Sequence, residues 1–250
     1  MKAAALLRVL LTRPGEFRDR ILTIVESLAD SLNRPGSMAA TDMAAMVRAT
    51  GEVVGADLGN FFQEEGLQEI EARIQSARTK LLNGAARVHD ATTELARMCY
   101  ALCRAVGPEV VVETGVGNGV TSSYFLQALK VNGKGSLWSL DLPPLGAQSG
   151  LLVPDDLRPR WHLLRGRTRR MLPELVSKLT CVDIFLHDSL HTYRNMSFEF
   201  GIIWPALRES GVMIADDVTM NRAFEHFAAN HPNRFSATSV SPVFGIAVKE

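Results

Sequence analysis

Cysteine is scarce in this 250-residue chain: there are three, Cys99, Cys103 and Cys181. An odd number of thiols scattered among apolar neighbours excludes a disulfide framework and reads as the reduced thiols of a cytosolic protein. Cys99 and Cys103 share a helix face, which could be half of a metal site, but no second Cys or His pair stands at ligand spacing, so buried small residues are the expected reading. Net charge is missing too, with 27 Lys plus Arg set against 27 Asp plus Glu. That removes the basic excess typical of nucleic-acid binders and leaves small molecules as the expected partners. No apolar run approaches the ~20 residues needed to cross a bilayer, which argues against a membrane protein. Residues 1–11 imitate a signal peptide, but Arg8 interrupts them and no small-residue cleavage site precedes Arg13 and Pro14. The stretch is read as a short helix and the protein as cytoplasmic.

What the chain has is periodicity, and the period changes along it. Phe17, Ile21, Ile24, Val25, Leu28 and Leu32 recur at helical spacing over 15–33 until Pro35 and Gly36 stop the pattern. Leu67, Ile70, Ile74 and Leu81 mark a helix over 65–82, and Leu95, Met98, Leu102 and Val106 another over 89–106. Residues 51–62 mix glycines with Val53, Val54, Leu58, Phe61 and Phe62, which fits connector packing or a loop that covers a ligand. After Pro108 the texture turns to short apolar runs: strands are expected at 109–113, 137–141, 161–165, 182–187, 211–215, 234–240 and 244–249. The first five alternate with helices such as 121–131, 168–179 and 192–207, so parallel pairing with right-handed crossovers follows. The last two, separated by Ser241, Pro242 and Val243, form an antiparallel edge hairpin. The expected fold is α/β: a doubly wound, seven-stranded, mostly parallel sheet over 90–250, preceded by a helical region over 1–89. Those amphipathic helices can pack on a second subunit, as a homodimer, as readily as on their own domain.

Ligands of such sheets bind beyond the carboxyl ends of the strands, so the residues there are read together. The first strand runs into E-T-G-V-G-N-G, where Gly115, Gly117 and Gly119 permit close backbone approach and Glu113 stands ready for a ribose or amino group. Val120 occupies the position after Gly119, so the dinucleotide spacing G-x-G-x-x-G is absent and a nicotinamide cofactor is disfavoured. The second strand ends in Asp141 and Leu142, an acid placed to accept from ribose hydroxyls or to cap the turn before Pro143. The third ends near Arg167 and Thr168, the latter equally a helix cap. The fourth runs into H-D-S-L-H-T-Y, with Asp188 and His191, and the fifth into Asp216 and Asp217. Carboxylates converging from adjacent strand ends repel one another unless a cation or a proton is held, and oxygen ligands of this kind suit Mg²⁺.

The glycine loop E-x-G-x-G-x-G resembles that of class I S-adenosylmethionine-dependent methyltransferases, and five parallel strands plus a terminal hairpin match the Rossmann-like layout of that family. The resemblance covers roughly 90–250 and implies S-adenosylmethionine as cofactor, with Glu113, Gly115, Val116, Gly117, Asn118, Gly119, Asp141, Leu142, Arg167, Thr168 and Asp188 as its contacts. It sharpens at the fourth and fifth strands. Metal-dependent O-methyltransferases of the catechol and caffeoyl type carry D-x-x-K and then Asp-Asn or Asp-Asp, and this chain has Asp188-Ser189-Leu190-His191 and Asp216-Asp217. H-D-S-x-H-T-Y followed by D-D also resembles bacterial methyltransferases of sugars and antibiotic scaffolds. Carried over, Asp188, Asp216 and Asp217 hold the metal and His191, in the lysine position, is the general base for a hydroxyl acceptor. His191 orienting Asp188 or capping the next helix is the plain alternative. A metal-independent N- or protein methyltransferase and a non-catalytic scaffold are the rival readings. Residues 142–160, rich in Pro and Gly, are placed to act as a lid, or are an irregular surface loop. The arginines between 158 and 170 offer an anion site or solvated helix-face charge.

Overall fold

The computed structural model describes residues 9–30, 41–81, 90–143, 145–231, 235–240 and 243–249. Helices α1 (Pro14–Asp30), α2 (Met43–Val54), α3 (Leu58–Phe61), α4 (Glu65–Leu81) and α5 (Thr93–Val106) come first. Then β1 (Val110–Thr114), α6 (Val120–Asn132), β2 (Ser136–Asp141), a 3₁₀ turn (Asp155–Arg160), β3 (Trp161–Arg165), α7 (Thr168–Val176) and β4 (Val182–His187) alternate. The chain closes with α8 (Tyr193–Ala206), β5 (Leu207–Asp216), α9 (Ala223–Asn230), β6 (Phe235–Val240) and β7 (Val243–Val248). The seven strands form one sheet in the order β3-β2-β1-β4-β5-β7-β6. β1 to β5 run parallel, and β7 is antiparallel to both β5 and β6. The expected architecture is therefore present, with strand and helix ends moved by a few residues.

Local chemistry explains the ends. Thr92 caps α5 by accepting from the Leu95 N–H, and Gly107 closes it in a left-handed turn at φ 56°. β5 starts earlier than the sequence pattern suggests because Leu207 already leaves α8, two residues past Pro205. Ser210 then bends the strand at φ 59° before the buried run from Val212 to Ala215.

Alternation along the strands sorts side chains onto two faces. Val111, Ile184, Leu186, Val212 and Ile214 pack on α5 and α6, while Val112, Phe185, Met213 and Ala215 pack on α7, α8 and α9. Met46, Leu58, Leu67, Ile70 and Ile74 of the amino-terminal helices belong to the first of these cores, all at most 2% exposed. Residues 51–54, expected as part of a connector, continue α2. α1 is different: Ile24, Val25 and Leu28 are 51%, 57% and 68% exposed, so its apolar side faces outward. Among the described residues, no helix is long and apolar enough to cross a membrane.

Candidate functional site

A cleft of about 680 Å³ opens at the carboxyl ends of β1, β2, β4 and β5. Gly115, Val116, Gly117, Asp141, Leu142, Arg167, Thr168, Asp188, His191, Asp216 and Asp217 all line it, as the sequence reading expected of them. Thr23 of α1 and Asp90 line it as well. Neither was signalled by a motif. A larger groove of about 1230 Å³ lies between α2, α3 and α4, away from the strand ends.

Three expected contacts stand elsewhere. Glu113 is fully buried beneath the glycine loop, because it follows Val111 on the α6 face of the sheet. Its Oε1 accepts from Thr121 Oγ1 at 2.6 Å, and its Oε2 from Ser122 at 2.6 Å and Ser139 at 2.7 Å. Burial pushes its pKa up, and the three hydroxyls oppose that. It braces the loop from below and does not reach the cleft. Asn118 donates to Asp90 Oδ1 at 2.8 Å, and Gly119 packs outward. A Cβ on Gly119 would stand 2.6 Å from Val153 Cγ2 and 2.8 Å from Gly150 Cα. Gly115, by contrast, meets the fourth-strand loop: at φ +81° its missing Cβ would lie 1.9 Å from the Asp188 carbonyl oxygen. Asp188 N–H in turn donates to Thr114 O at 2.8 Å, so the two loops are in register.

Residues 142–160 are less a lid than a buttress. Gly150 N–H donates to Gly117 O at 2.9 Å and Leu152 N–H to Asn118 O at 2.8 Å, while Leu152 and Val153 are buried. Asp141 accepts from Ser149 Oγ and from the Val116 and Leu142 N–H groups, and burial raises its pKa. The arginines are spoken for structurally. Arg165 donates to Glu16 at 3.3 Å, Arg170 to Asp19 at 3.2 Å, and Arg160 to the Gly133 and Gly135 carbonyls. Arg20 joins α1 to the same rim through Pro143 O at 2.8 Å.

The fourth- and fifth-strand ends bring Asp188, His191 and Asp216 together, with one ligand atom from each within 4.8 Å of the others. Burial and the neighbouring carboxylates push the Asp188 pKa well up, and burial with Asp217 raises that of Asp216 to about 6. Burial lowers that of His191 to about 3. His191 Nε2 lies 3.8 Å from Asp188 Oδ1 and has no hydrogen-bond partner among the described residues, while Nδ1 lies 3.6 Å from Asp217 Oδ2. Asp217 itself has a left-handed backbone, φ 50°. The cap of α8 is Thr192, which accepts from Asn195 N–H at 3.2 Å, so neither Asp188 nor His191 serves as one. Tyr193 stays outside the cleft and bonds His226 at 3.0 Å. His187 packs at the strand end and bonds Glu199, a residue sequence reasoning missed. The available signal was an acid and an amide, Glu199 and Asn195, four apart on one face of a mostly apolar helix.

Comparison with known proteins agrees with this geometry. Residues 112–218 match the family model described as methyltransferase domain. The fold resembles an O-methyltransferase from Bacillus cereus in complex with S-adenosylhomocysteine, at 15% identity, TM-score 0.55, covering 82% of this chain and 97% of that one. It also resembles an O-methyltransferase of Streptomyces achromogenes involved in tomaymycin synthesis, in complex with S-adenosylmethionine, at 16% identity, TM-score 0.56, covering 75% and 90%. A methyltransferase of Podospora anserina, bound to S-adenosylhomocysteine, aligns at 12% identity and TM-score 0.54, covering 86% and 98%. At such identities the likeness is one of fold. No curated protein matches the chain in sequence. The family match spans β1 to β5 and the loops that build the cleft, so this part of the chain is similar to methyltransferase domains, and the chain has the fold of the solved methyltransferases.

Proposed function

We propose that this protein transfers a methyl group from S-adenosylmethionine to a hydroxyl oxygen of a small-molecule acceptor, with a divalent cation such as Mg²⁺ held by Asp188, His191 and Asp216. The observation that carries the reading is the approach of those three side chains to within 4.8 Å of one another, in the cleft that Gly115 and Gly117 also line. Their chemistry fits a cation: two carboxylates raised in pKa by burial and repulsion, and a buried imidazole nitrogen without a hydrogen-bond partner among the described residues. A cation bound there supplies a Lewis acid that lowers the pKa of a coordinated hydroxyl. The solved O-methyltransferases of similar fold support oxygen as the acceptor atom.

The chain's own residues do the positioning. Gly115 and Gly117 let backbone approach the cofactor, Asp141 offers a carboxylate to ribose hydroxyls, and Arg167 and Thr168 flank the opposite wall. Burial favours the neutral imidazole of His191, and with the proton on Nδ1, on the Asp217 side, Nε2 offers a lone pair beside Asp188. That lone pair serves either a cation or a proton. The grouping with Asp188 and Asp216 favours the ligand role over the general-base role expected from sequence, and the half-buried Asp217 is then the base beside it.

Metal-stripped protein titrated calorimetrically with S-adenosylmethionine should bind it with micromolar affinity and ignore NADH. Labelled methyl transfer to a panel of catechols and sugars should fall on chelation and return with Mg²⁺. Transfer that survives exhaustive chelation sinks the cation, and methylation of amines in place of hydroxyls sinks the oxygen acceptor.

A further inference from the structure

Behind the cleft, on the α8 side of the sheet, lies a fully buried carboxylate that the proposed chemistry does not use. Glu199 Oε2 accepts from Thr114 Oγ1 at 2.6 Å and faces His187 Nδ1 at 2.6 Å. Its Oε1 accepts from Ser189 Oγ at 2.8 Å and from Asn195 Nδ2 at 2.9 Å. These partners are not scattered. Thr114 immediately precedes Gly115, His187 and Ser189 flank Asp188 on either side, and Asn195 Oδ1 accepts from Thr168 Oγ1 at 3.3 Å. One carboxylate therefore ties together three loops that line the cleft. An ionised carboxylate only accepts, so the His187 ring is fixed with Nδ1–H toward Glu199 and its Nε2 on the side of the ring away from that bond. That nitrogen is buried without a hydrogen-bond partner among the described residues, and the ring stands edge-on to His191 at 5.3 Å between centroids. Asn195 Nδ2 also donates to Leu190 O at 3.1 Å, holding the loop that carries His191.

We infer that Glu199 is a positioning residue, which sets the cleft-lining loops at Gly115, Asp188–His191 and Thr168 in their binding geometry through Thr114, Ser189 and Asn195. The inference rests on the cleft being the S-adenosylmethionine site. A purely structural carboxylate governs stability, whereas a positioning one governs affinity in the protein that remains folded. Outer-shell hydrogen-bond partners of metal ligands change affinity or activity by about 10–100-fold when removed, and the lower end of that range is the effect expected here.

The test is S-adenosylmethionine affinity, by calorimetry on full-length protein, for wild type, Glu199→Gln, Glu199→Ala, Ser189→Ala and the Glu199→Gln/Ser189→Ala pair, with thermal melting of each. Glu199→Gln keeps the volume and one acceptor oxygen but sets an amide N–H₂ against former donors. It should weaken binding about 10-fold, and Glu199→Ala, where it folds, further. Ser189→Ala should cost a similar factor alone and add little on top of Glu199→Gln, since both break one link. Glu199→Gln that melts lower yet binds within twofold of wild type overturns the inference, as does simple multiplication of the two single effects. Wild-type protein that fails to bind S-adenosylmethionine overturns the reading of the cleft, and the inference with it.

Discussion

Two glycines with the same backbone habit separate conformational need from steric need. Gly115 and Gly133 both sit in the left-handed region, at φ +81° and +73°, but nothing among the described residues lies within 4 Å of a Cβ on Gly133, whereas one on Gly115 would overlap the Asp188 carbonyl. Gly133→Ala should therefore cost only backbone strain, about 1 kcal/mol in chemical denaturation, and leave S-adenosylmethionine binding unchanged. Gly115→Ala carries strain on the scale of about 1–3 kcal/mol and must also push the Asp188 loop aside, so its affinity should fall at least about 10-fold. Equal affinities in the two variants would show that the loop contact does not shape the cleft. At this scale the sequence spoke unevenly. Strand ends named most cleft residues, because in an open parallel sheet those ends must face the ligand side. Glu113 was misplaced for a reason the period of two contains: it follows Val111 and so belongs to the α6 face. Thr23 lies on a helix remote in sequence from the strand-end loops, and Glu199 sits inside α8 beyond the fourth-strand motif, where only packing turns it toward the site.

Among the elements, α1 owes its place to charge more than to apolar burial. Glu16 is held by Arg20 at 2.6 Å and by Arg13 and Arg165, each at 3.3 Å, across to the end of β3. Burial pushes the Glu16 carboxyl upward, but hydrogen bonds from Arg20, Arg165 and Arg13 outweigh it and hold its pKa near 2, against 4.5 for an ordinary glutamate. A depressed folded-state pKa means that the tether is complete above about pH 4.5 and is lost as pH falls toward 2. Hydrogen exchange should then show α1 amides losing protection across that interval ahead of those of β1 and β4, and Glu16→Gln should abolish the pH dependence. Coincident loss in helix and sheet would mean that α1 is not separately tethered. Its apolar period was plain in the sequence, but the period alone does not say which side docks. Here the guanidinium partners at 165 and 170 decide it.

The whole molecule is more continuous than its texture suggests. The change from helical to α/β spacing near residue 90 is real in the sequence, yet the core passes through it, since Met46, Leu58, Leu67, Ile70 and Ile74 pack with Leu95, Met98 and Phe125. Each such side chain contributes about 1.5–3 kcal/mol, so the group is comparable with the about 5–15 kcal/mol that stabilises a whole domain. Removing residues 1–41 should leave a protein that melts cooperatively, whereas removing 1–81 should give one that aggregates or lacks a cooperative transition. A stable, cooperatively melting 82–250 fragment would mean that the helices ride on an independent unit. A further consequence follows from the guanidinium-held α1, whose Thr23 borders the cleft. Screening shortens from about 8 Å at physiological salt to about 3 Å at 1 M, and it acts most on the half-exposed Arg165 and Arg170. Product departure should accordingly quicken with ionic strength. Where loss of S-adenosylhomocysteine limits turnover, stopped-flow displacement would then record an enzyme that runs faster in brine than in dilute buffer.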